Sequence, residues 1–328
     1  MEILENIPLA QYTSIRIGGP ARFFCIAKSE QDLSEALEFA CEKNLSVFML
    51  GGGCNSLFPD KGIDGLVIKM QNTEFKKEDD GKFMVGAGVG LGYLAQESAK
   101  AGYSGAEWCA AVPGTVGGAI YGNAGAFGGE MKDIVEEVEY INAKLKTPAY
   151  AKASAGKQNS KLKVNECEFG YRESIFKKHP DWIIWRTKIR LKKGDAAQGQ
   201  ERIKQYLSKK RSTQDLISKT AGCTFKNFKL PVDLKFLEHL RKKLEMEEND
   251  FKVIIKNGYI SAGFLIDRLG LKGKKIGGIQ ISEIHANFLI NTGSATAEDV
   301  VIMMSLIKEK IRNHFDIQLQ EEIQTIGF

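Results

Sequence analysis

PGTVGGAIYGNAGAFGG, residues 113–129, holds seven glycines. That density is too high for the interior of a helix or strand, because glycine loses more backbone freedom on ordering than any other residue. It suits a loop in which successive N–H groups converge without Cβ obstruction and form a nest for an anion. A second such loop, Gly51-Gly52-Gly53-Cys54-Asn55-Ser56, directly follows the apolar run SVFML at 46–50. A pyrophosphate is the natural guest of both. Tight turns alone explain the shorter loop equally well, but they are the weaker account of seven glycines. Neither loop fits a short nucleotide code. GxxxxGK[ST] is absent, and GAGVGLG at 86–92 lacks the third glycine at dinucleotide-fingerprint spacing.

Working outward, strands alternate with helices. Residues 29–44 read as a helix capped by Ser29 with Asp32 at the third position, and Leu33, Leu37, Ala40 and Cys41 share a face. SVFML, GLVIKM (65–70) and FMVGA (83–87) read as strands, and residues 91–101 as a helix stopped by Gly102. A strand returns near 135–141. Residues 142–165 are polar and without periodicity, which predicts an exposed loop. Trp185, Thr187, Ile189 and Leu191 alternate with basic residues in a half-buried strand. KKGDAAQGQ (192–200) reads as a linker before a basic helix over 201–211, with Ile203, Tyr206 and Leu207 inward. Further on come a helix at 261–270 closed by Gly270, a strand at 286–291, and a helix capped by Thr296 that carries Val300, Met303, Met304, Ile307 and Ile311 on one face. The pattern argues for α/β or α+β packing.

The 328 residues suffice for two or three domains, and 43% hydrophobic with 27% charged residues is ordinary for a globular chain. The net charge of +5 is mild and scattered, which suits anionic small ligands and argues against nucleic acid. No export signal is read at the start, no apolar run reaches bilayer length, and the six cysteines contain no CxxC pair. A cytoplasmic location, reduced thiols, no bound metal and no membrane insertion are therefore expected.

Nine segments in order carry a resemblance: TSIRIGGPA (13–21), LGGGCNSLF (50–58), the glycine run extended to Met131, FGYRES (169–174), KRSTQ (210–214), AGCTFKN (221–227), SAGFLID (261–267), the Gly277-Gly278 pair with HANFLIN (285–291), and LQEEIQTIG (319–327). Together they span nearly the whole chain and resemble the UDP-N-acetylenolpyruvoylglucosamine reductase family, in the subtype without an extra tyrosine-bearing loop. The resemblance implies an α+β fold. A two-lobed FAD-binding module of the p-cresol methylhydroxylase/vanillyl-alcohol oxidase type, expected over 1–195 with lobes near 1–70 and 71–195, precedes a C-terminal substrate-binding domain at 201–328. It implies non-covalent FAD, NADPH as hydride donor, and UDP-N-acetylglucosamine enolpyruvate as substrate. None of the four histidines lies in a glycine loop, which argues against covalent attachment.

Carried over residue by residue, the resemblance assigns Gly51, Gly52, Gly53, Cys54, Asn55, Ser56, Pro113, Gly114, Thr115, Gly117 and Gly118 to FAD, with Tyr12, Thr13 and Arg16 lining the same site. Three catalytic residues follow. Arg172 would hold the substrate carboxylate as a fork, Glu322 would hydrogen-bond the forming enol(ate), and Cys223 would protonate C2. The plain alternatives are an ion pair of Arg172 with Glu173 or Glu168, a solvated pair of Glu322 with Glu321, and a small buried apolar Cys223. Arg211, Lys226, Asn227 and His285 are candidate substrate contacts, though His285 reads equally as a hydrogen-bonded core histidine. The chain departs from the family pattern at Cys223, where serine is usual, at Gln320 and Glu321, where Glu-Pro is usual, and at Phe228, where proline is usual. The competing functions are another flavin oxidase on the same module and a nucleotide-binding regulator without chemistry.

Overall fold

The structure, a computed structural model, describes residues 1–143, 159–214 and 217–328. Its contacts divide into two units that are discontinuous in sequence. The first comprises Met1–Ile7, Pro20–Gly53 and Ile63–Ser212; the second comprises Pro8–Gly19, Cys54–Gly62 and Thr213–Phe328. This division differs from a single linear boundary near 195–201, because two short N-terminal segments pack with the C-terminal half.

Two sheets build the first unit. In one, the strand Ile63–Met70 pairs in parallel with Pro20–Ala27 and with Val47–Leu50, while Ile3–Pro8 lies at the edge. The helix Glu30–Glu42 closes the crossover. Ser29 and Asp32 cap it reciprocally, and Leu33, Ala36, Leu37 and Ala40 are its buried stripe. In the other sheet Asn159–Lys163, Val135–Asn142, Trp182–Arg190, Lys82–Gly86 and Phe75–Lys77 are neighbours in that order, all antiparallel.

Three readings need correction here. The polar stretch 142–165 ends in a real strand, Asn159–Lys163, whose lysines face Glu137 and Glu139 across the ladder; its centre, 144–158, lies outside the described residues. KKGDAAQGQ is no linker: the helix Ala196–Thr213 starts inside it, and Gly199 is buried where a Cβ would come within 3.0 Å of Ala99. The glycine run is not all loop either, since Val116–Tyr121 is helical. Gly117 sits where a Cβ would lie 2.8 Å from that of Ala87, so close approach, rather than loop freedom, requires that glycine.

The second unit centres on an antiparallel sheet ordered Lys219–Cys223, Phe288–Asn291, Ile279–Ile281 and Lys275–Ile276. The helix Ala297–Phe315 packs its Val300, Met303, Met304, Ile307 and Ile311 into the core with Leu265, Ile266, Phe225 and Ile260. The N-terminal segments are knitted into this unit by specific bonds. Asn291 donates to the Ile15 carbonyl at 2.9 Å, Ser14 to the Thr220 carbonyl at 2.7 Å, and the Asp60 carboxylate accepts the Ala297 and Glu298 amides at the helix start. Gly19 passes so close to Asp60 that a Cβ would lie 2.1 Å from its carbonyl oxygen.

Candidate active site

Within the first unit the two glycine loops meet. A Cβ on Gly51 would fall 2.7 Å from Thr115 Oγ1 and 3.9 Å from the Gly118 nitrogen, so only glycine leaves that gap open. Lys69 Nζ holds the Gly51 carbonyl at 2.9 Å. Thr115 is the N-cap residue of Val116–Tyr121, yet its hydroxyl makes no capping bond. Thr115 Oγ1 is buried with no hydrogen-bond partner among the described residues. Buried hydroxyls are normally satisfied, so one left over beside a glycine gap marks a place for a ligand acceptor. Gly114 has φ +121 and open space where a Cβ would be, and Gly53 has φ +65. An anionic group fits this cradle: a hydroxyl donor, a helix start and glycines that admit close approach.

The run 86–92, which looks like a dinucleotide fingerprint in sequence, serves packing. Cβ atoms on Gly86 and Gly88 would lie 2.3 and 2.9 Å from Asn72 backbone atoms.

The remaining residues assigned to FAD lie in the second unit. Cys54, Asn55 and Ser56 follow Gly53 across the unit boundary. Thr13 is buried, and its hydroxyl donates to the Ile17 carbonyl at 3.0 Å while accepting the Ile17 amide at 3.2 Å, which shapes its own loop. Arg16, at φ +60, donates to the Gln11 carbonyl at 2.6 Å, and Tyr12 ends the short turn Leu9–Tyr12.

Arg172 belongs to the first unit. It sits at φ +57 in a tight turn closed by Gly170 and Glu173, a conformation costly for a non-glycine residue. Its Nη2 donates to the Gly125 carbonyl at 3.2 Å, and its guanidinium lies 5.2 Å over the Tyr171 ring. The neighbouring carboxylates go to lysines, Glu168 to Lys178 and Glu173 to Lys177. Arg211, at the exposed end of Ala196–Thr213, is also in this unit.

Cys223 and Glu322 lie on backbone segments of the second unit that meet at Thr224. On one strand the register slips between Thr220 and Cys223, where Gly222 takes φ +79. Facing it, Phe225 bridges Glu321, and the Thr224 carbonyl accepts both the Glu322 amide at 2.8 Å and the Ile323 amide at 3.4 Å. Two successive amides on one carbonyl are a bulge, which turns a side chain out of strict alternation, and this one brings the backbone of Glu322 against the residue next to Cys223. Cys223 and Glu322 are both half-buried. Glu321 does not share Glu322's environment. Burial raises the Glu321 carboxyl, but the Lys308 ammonium at 2.7 Å and its own amide outweigh that and hold it below the usual carboxylate range.

Asn287 was not among the sequence candidates. Its side chain accepts the Phe225 amide at 3.0 Å and donates to the Phe225 carbonyl at 2.8 Å, standing in for a strand next to Cys223. Its buried position inside HANFLIN is the signal that was available, because a buried amide needs partners for every polar atom. His285 in the same motif is half-buried against Phe288, with ring centroids 4.4 Å apart, and burial lowers its pKa, so the imidazole is neutral near pH 7. Its Nδ1 is buried with no hydrogen-bond partner among the described residues. Neither a core hydrogen bond at Nδ1 nor a positive charge is on offer there, which leaves a neutral polar contact. Asn227 Oδ1 accepts the Ala262 amide at 3.3 Å, and Lys226 bonds the Gln320 carbonyl through its amide at 2.8 Å. Among the described residues no cluster of three His, Cys, Asp or Glu side chains is placed to hold a metal ion.

Comparisons with known proteins match both halves. Residues 21–145 match an FAD binding domain, and residues 213–326 match the family described as UDP-N-acetylenolpyruvoylglucosamine reductase, C-terminal domain. The reductase of that name from Carboxydothermus hydrogenoformans is 34% identical over 326 residues, covering 99% of this chain and 94% of the relative. That from Solibacter usitatus is 30% identical over 330 residues, covering 100% and 97%. The crystal structure of the Thermus caldophilus UDP-N-acetylenolpyruvylglucosamine reductase superposes with TM-score 0.72 at 29% identity over 99% of this chain and 98% of that one. The fold is α+β, with an FAD binding domain and the C-terminal domain of this reductase family. With its full length covered at such identity, this chain belongs to the UDP-N-acetylenolpyruvoylglucosamine reductase family.

Proposed function

We infer that the chain reduces UDP-N-acetyl-3-O-(1-carboxyvinyl)-glucosamine to UDP-N-acetylmuramate, using NADPH and FAD, in peptidoglycan precursor synthesis. The observation that carries this is the buried Thr115 hydroxyl, without a hydrogen-bond partner among the described residues, beside the Gly51 gap, within a chain matched end to end by the reductase family. FAD, when bound, supplies the two-electron chemistry that passes hydride from NADPH to the enolpyruvyl carbon. The protein's share is binding, orientation and proton delivery.

Gly51, Gly52, Gly53, Pro113, Gly114, Thr115, Gly117 and Gly118 are proposed to hold the cofactor's phosphate and adenosine portions. Cys54, Asn55, Ser56, Tyr12, Thr13 and Arg16 are proposed as further cofactor contacts. Arg172, strained in its turn, is proposed to hold the substrate carboxylate and offset the charge that develops there. Glu322 is proposed to hydrogen-bond the enol(ate) oxygen, and Cys223 to give its thiol proton to C2. The meeting of their backbone segments at Thr224 supports these last two roles. Arg211 and Lys226 suit the diphosphate, while Asn227 and the neutral His285 suit uncharged polar groups of the sugar nucleotide. Residues 1–195 are proposed to act as the FAD module and 201–328 as the substrate-binding domain. Among the described residues no helix is long and apolar enough to cross a membrane, and we propose a cytoplasmic enzyme that binds neither membrane nor nucleic acid.

The test is anaerobic. NADPH should bleach the bound flavin, and the enolpyruvyl nucleotide should restore its absorbance with one product formed per flavin. A folded chain that takes up no FAD, or a reduced flavin that the nucleotide leaves unchanged, overturns the assignment.

A further inference from the structure

The Asn55 side chain serves a residue 267 positions away. Its Nδ2 donates to the Glu322 carbonyl at 2.9 Å, and the main-chain carbonyl of Asn55 accepts the Gln324 amide at 2.9 Å. Gln324 Nε2 donates to the same Glu322 carbonyl, also at 2.9 Å. On its other side, the Glu322 amide is held by the Thr224 carbonyl at 2.8 Å. Both main-chain polar groups of Glu322 are thus tied, the donor to the segment carrying Cys223 and the acceptor to two side-chain amides. A bulged residue has lost the regular ladder that fixes its neighbours, so the direction of its side chain depends on whatever holds its own amide and carbonyl. Here the element holding that carbonyl from outside the C-terminal segment is Asn55.

We propose that Asn55 is a positioning residue for the reaction: its side chain acts through Glu322, aiming that carboxyl, rather than through the cofactor. The inference rests on the catalytic reading of Glu322 given above. Gln324 still satisfies the Glu322 carbonyl when Asn55 is truncated, so the loss is one of direction rather than of a buried group's partner. For that reason Asn55→Ala is expected to fold. Asn55→Asp keeps the shape, removes the donor, and serves as the second variant.

The experiment uses holoenzyme and reads FAD per chain, thermal stability and each half-reaction by anaerobic stopped flow. For both variants FAD content should equal that of the wild type, and flavin reduction by NADPH should stay within about twofold. Reoxidation by the enolpyruvyl substrate should slow at least about tenfold, the scale of a small misplacement of a catalytic group. Dissociation of the substrate should change by less than about threefold. In a Glu322→Gln background, adding Asn55→Ala should change reoxidation by less than about twofold, because one residue acts through the other. Loss of FAD with normal reoxidation in the remaining holoenzyme would make the Asn55 side chain a cofactor ligand and overturn the proposal. Equal slowing of both half-reactions, or additive slowing in the double variant, overturns it as well. If Glu322→Gln alone reoxidises at the wild-type rate, the catalytic reading of Glu322 falls first and takes this proposal with it. If that variant is slow and the Asn55 variants are normal, only the positioning role falls.

Discussion

Thr115→Val separates a cofactor cradle from a tight turn, because the two predict opposite signs. The substitution conserves shape and exchanges the hydroxyl for a methyl. In the protein without cofactor, Thr115 Oγ1 is buried and has no partner among the described residues. A buried hydroxyl in that state costs about 1–3 kcal/mol. Removing it should stabilise the cofactor-free form by about 1 kcal/mol, raising its melting temperature by about 2–4 °C for a unit of this size. In the complex the sign reverses. A hydroxyl that donates to a phosphate oxygen is a charge-assisted bond worth about 1.5–3 kcal/mol, so FAD affinity should fall about tenfold to a hundredfold. Thr115→Ser, which retains the donor, should bind FAD within a few-fold of wild type, roughly within 1 kcal/mol. The assay is calorimetric or fluorescence titration of apoprotein with FAD, paired with thermal unfolding with and without cofactor. A valine variant that loses stability without FAD and binds it normally would show that the hydroxyl supports the turn, and the cradle argument would fail.

Three other outcomes are expected. Cys223→Ser should keep substantial turnover, since a hydroxyl also carries a transferable proton, whereas Cys223→Ala should lose substrate-driven flavin reoxidation by at least about a hundredfold with NADPH reduction intact; an alanine variant that turns over normally removes Cys223 from the mechanism. Arg172→Ala should likewise slow reoxidation by about a hundredfold, the scale of losing a charge stabiliser, and Arg172→Lys should recover only part of it because the fork is gone; equal damage to both half-reactions would point to a folding defect. Glu139 is buried, and burial raises its carboxyl, but hydrogen bonds from Lys161 and Arg186, each 2.7 Å away, and their charges outweigh this and leave its pKa lowered. A carboxyl depressed on folding stabilises fully above its unfolded value, about 4.3, and progressively less as pH falls through the lower folded value; urea unfolding between about pH 3 and 6 should therefore show a shallower acid limb in Glu139→Gln, and an unchanged limb would refute the assignment.

The parts of the fold legible in sequence were those set by local rules. The Ser29–Asp32 capping box, the Thr296 cap and the apolar stripe of Ala297–Phe315 are all present as read, because caps and helical periodicity act over a few residues. The reading failed where distant neighbours decide. Asn159–Lys163 is polar because Lys161 answers both Glu137 and Glu139 on the paired strand, and no periodicity within the segment shows that. Helix Val116–Tyr121 carries Gly117 because Ala87 approaches it, a requirement written on another segment. The assignment of Pro8–Gly19 and Cys54–Gly62 to the second unit rests on side-chain bonds such as Asn291 to Ile15, which leave no compositional trace.

The candidate site divides along the same line. The glycine loops announce themselves because a close backbone approach admits one residue type, so composition alone points to them. The proposed catalytic residues Cys223 and Glu322 do not, since a lone cysteine and one of two adjacent glutamates have commoner fates, and the family resemblance was needed to single them out. What brings the segments of Cys223 and Glu322 together is backbone geometry: Gly222 at φ +79, two amides on the Thr224 carbonyl, and the amides of Asn55, Gln324 and Asn287 around them. Gly222 was the one visible trace, since an isolated glycine in a strand-like run signals a bulge. Asparagine was the other. Asn55, Asn287 and Asn291 each spend their side chains on main-chain groups, as a strand edge would, and two of the three are buried. Buried amides must have such partners, so asparagines such as Asn287 and Asn291 in HANFLIN mark the main-chain scaffold beside the catalytic candidates.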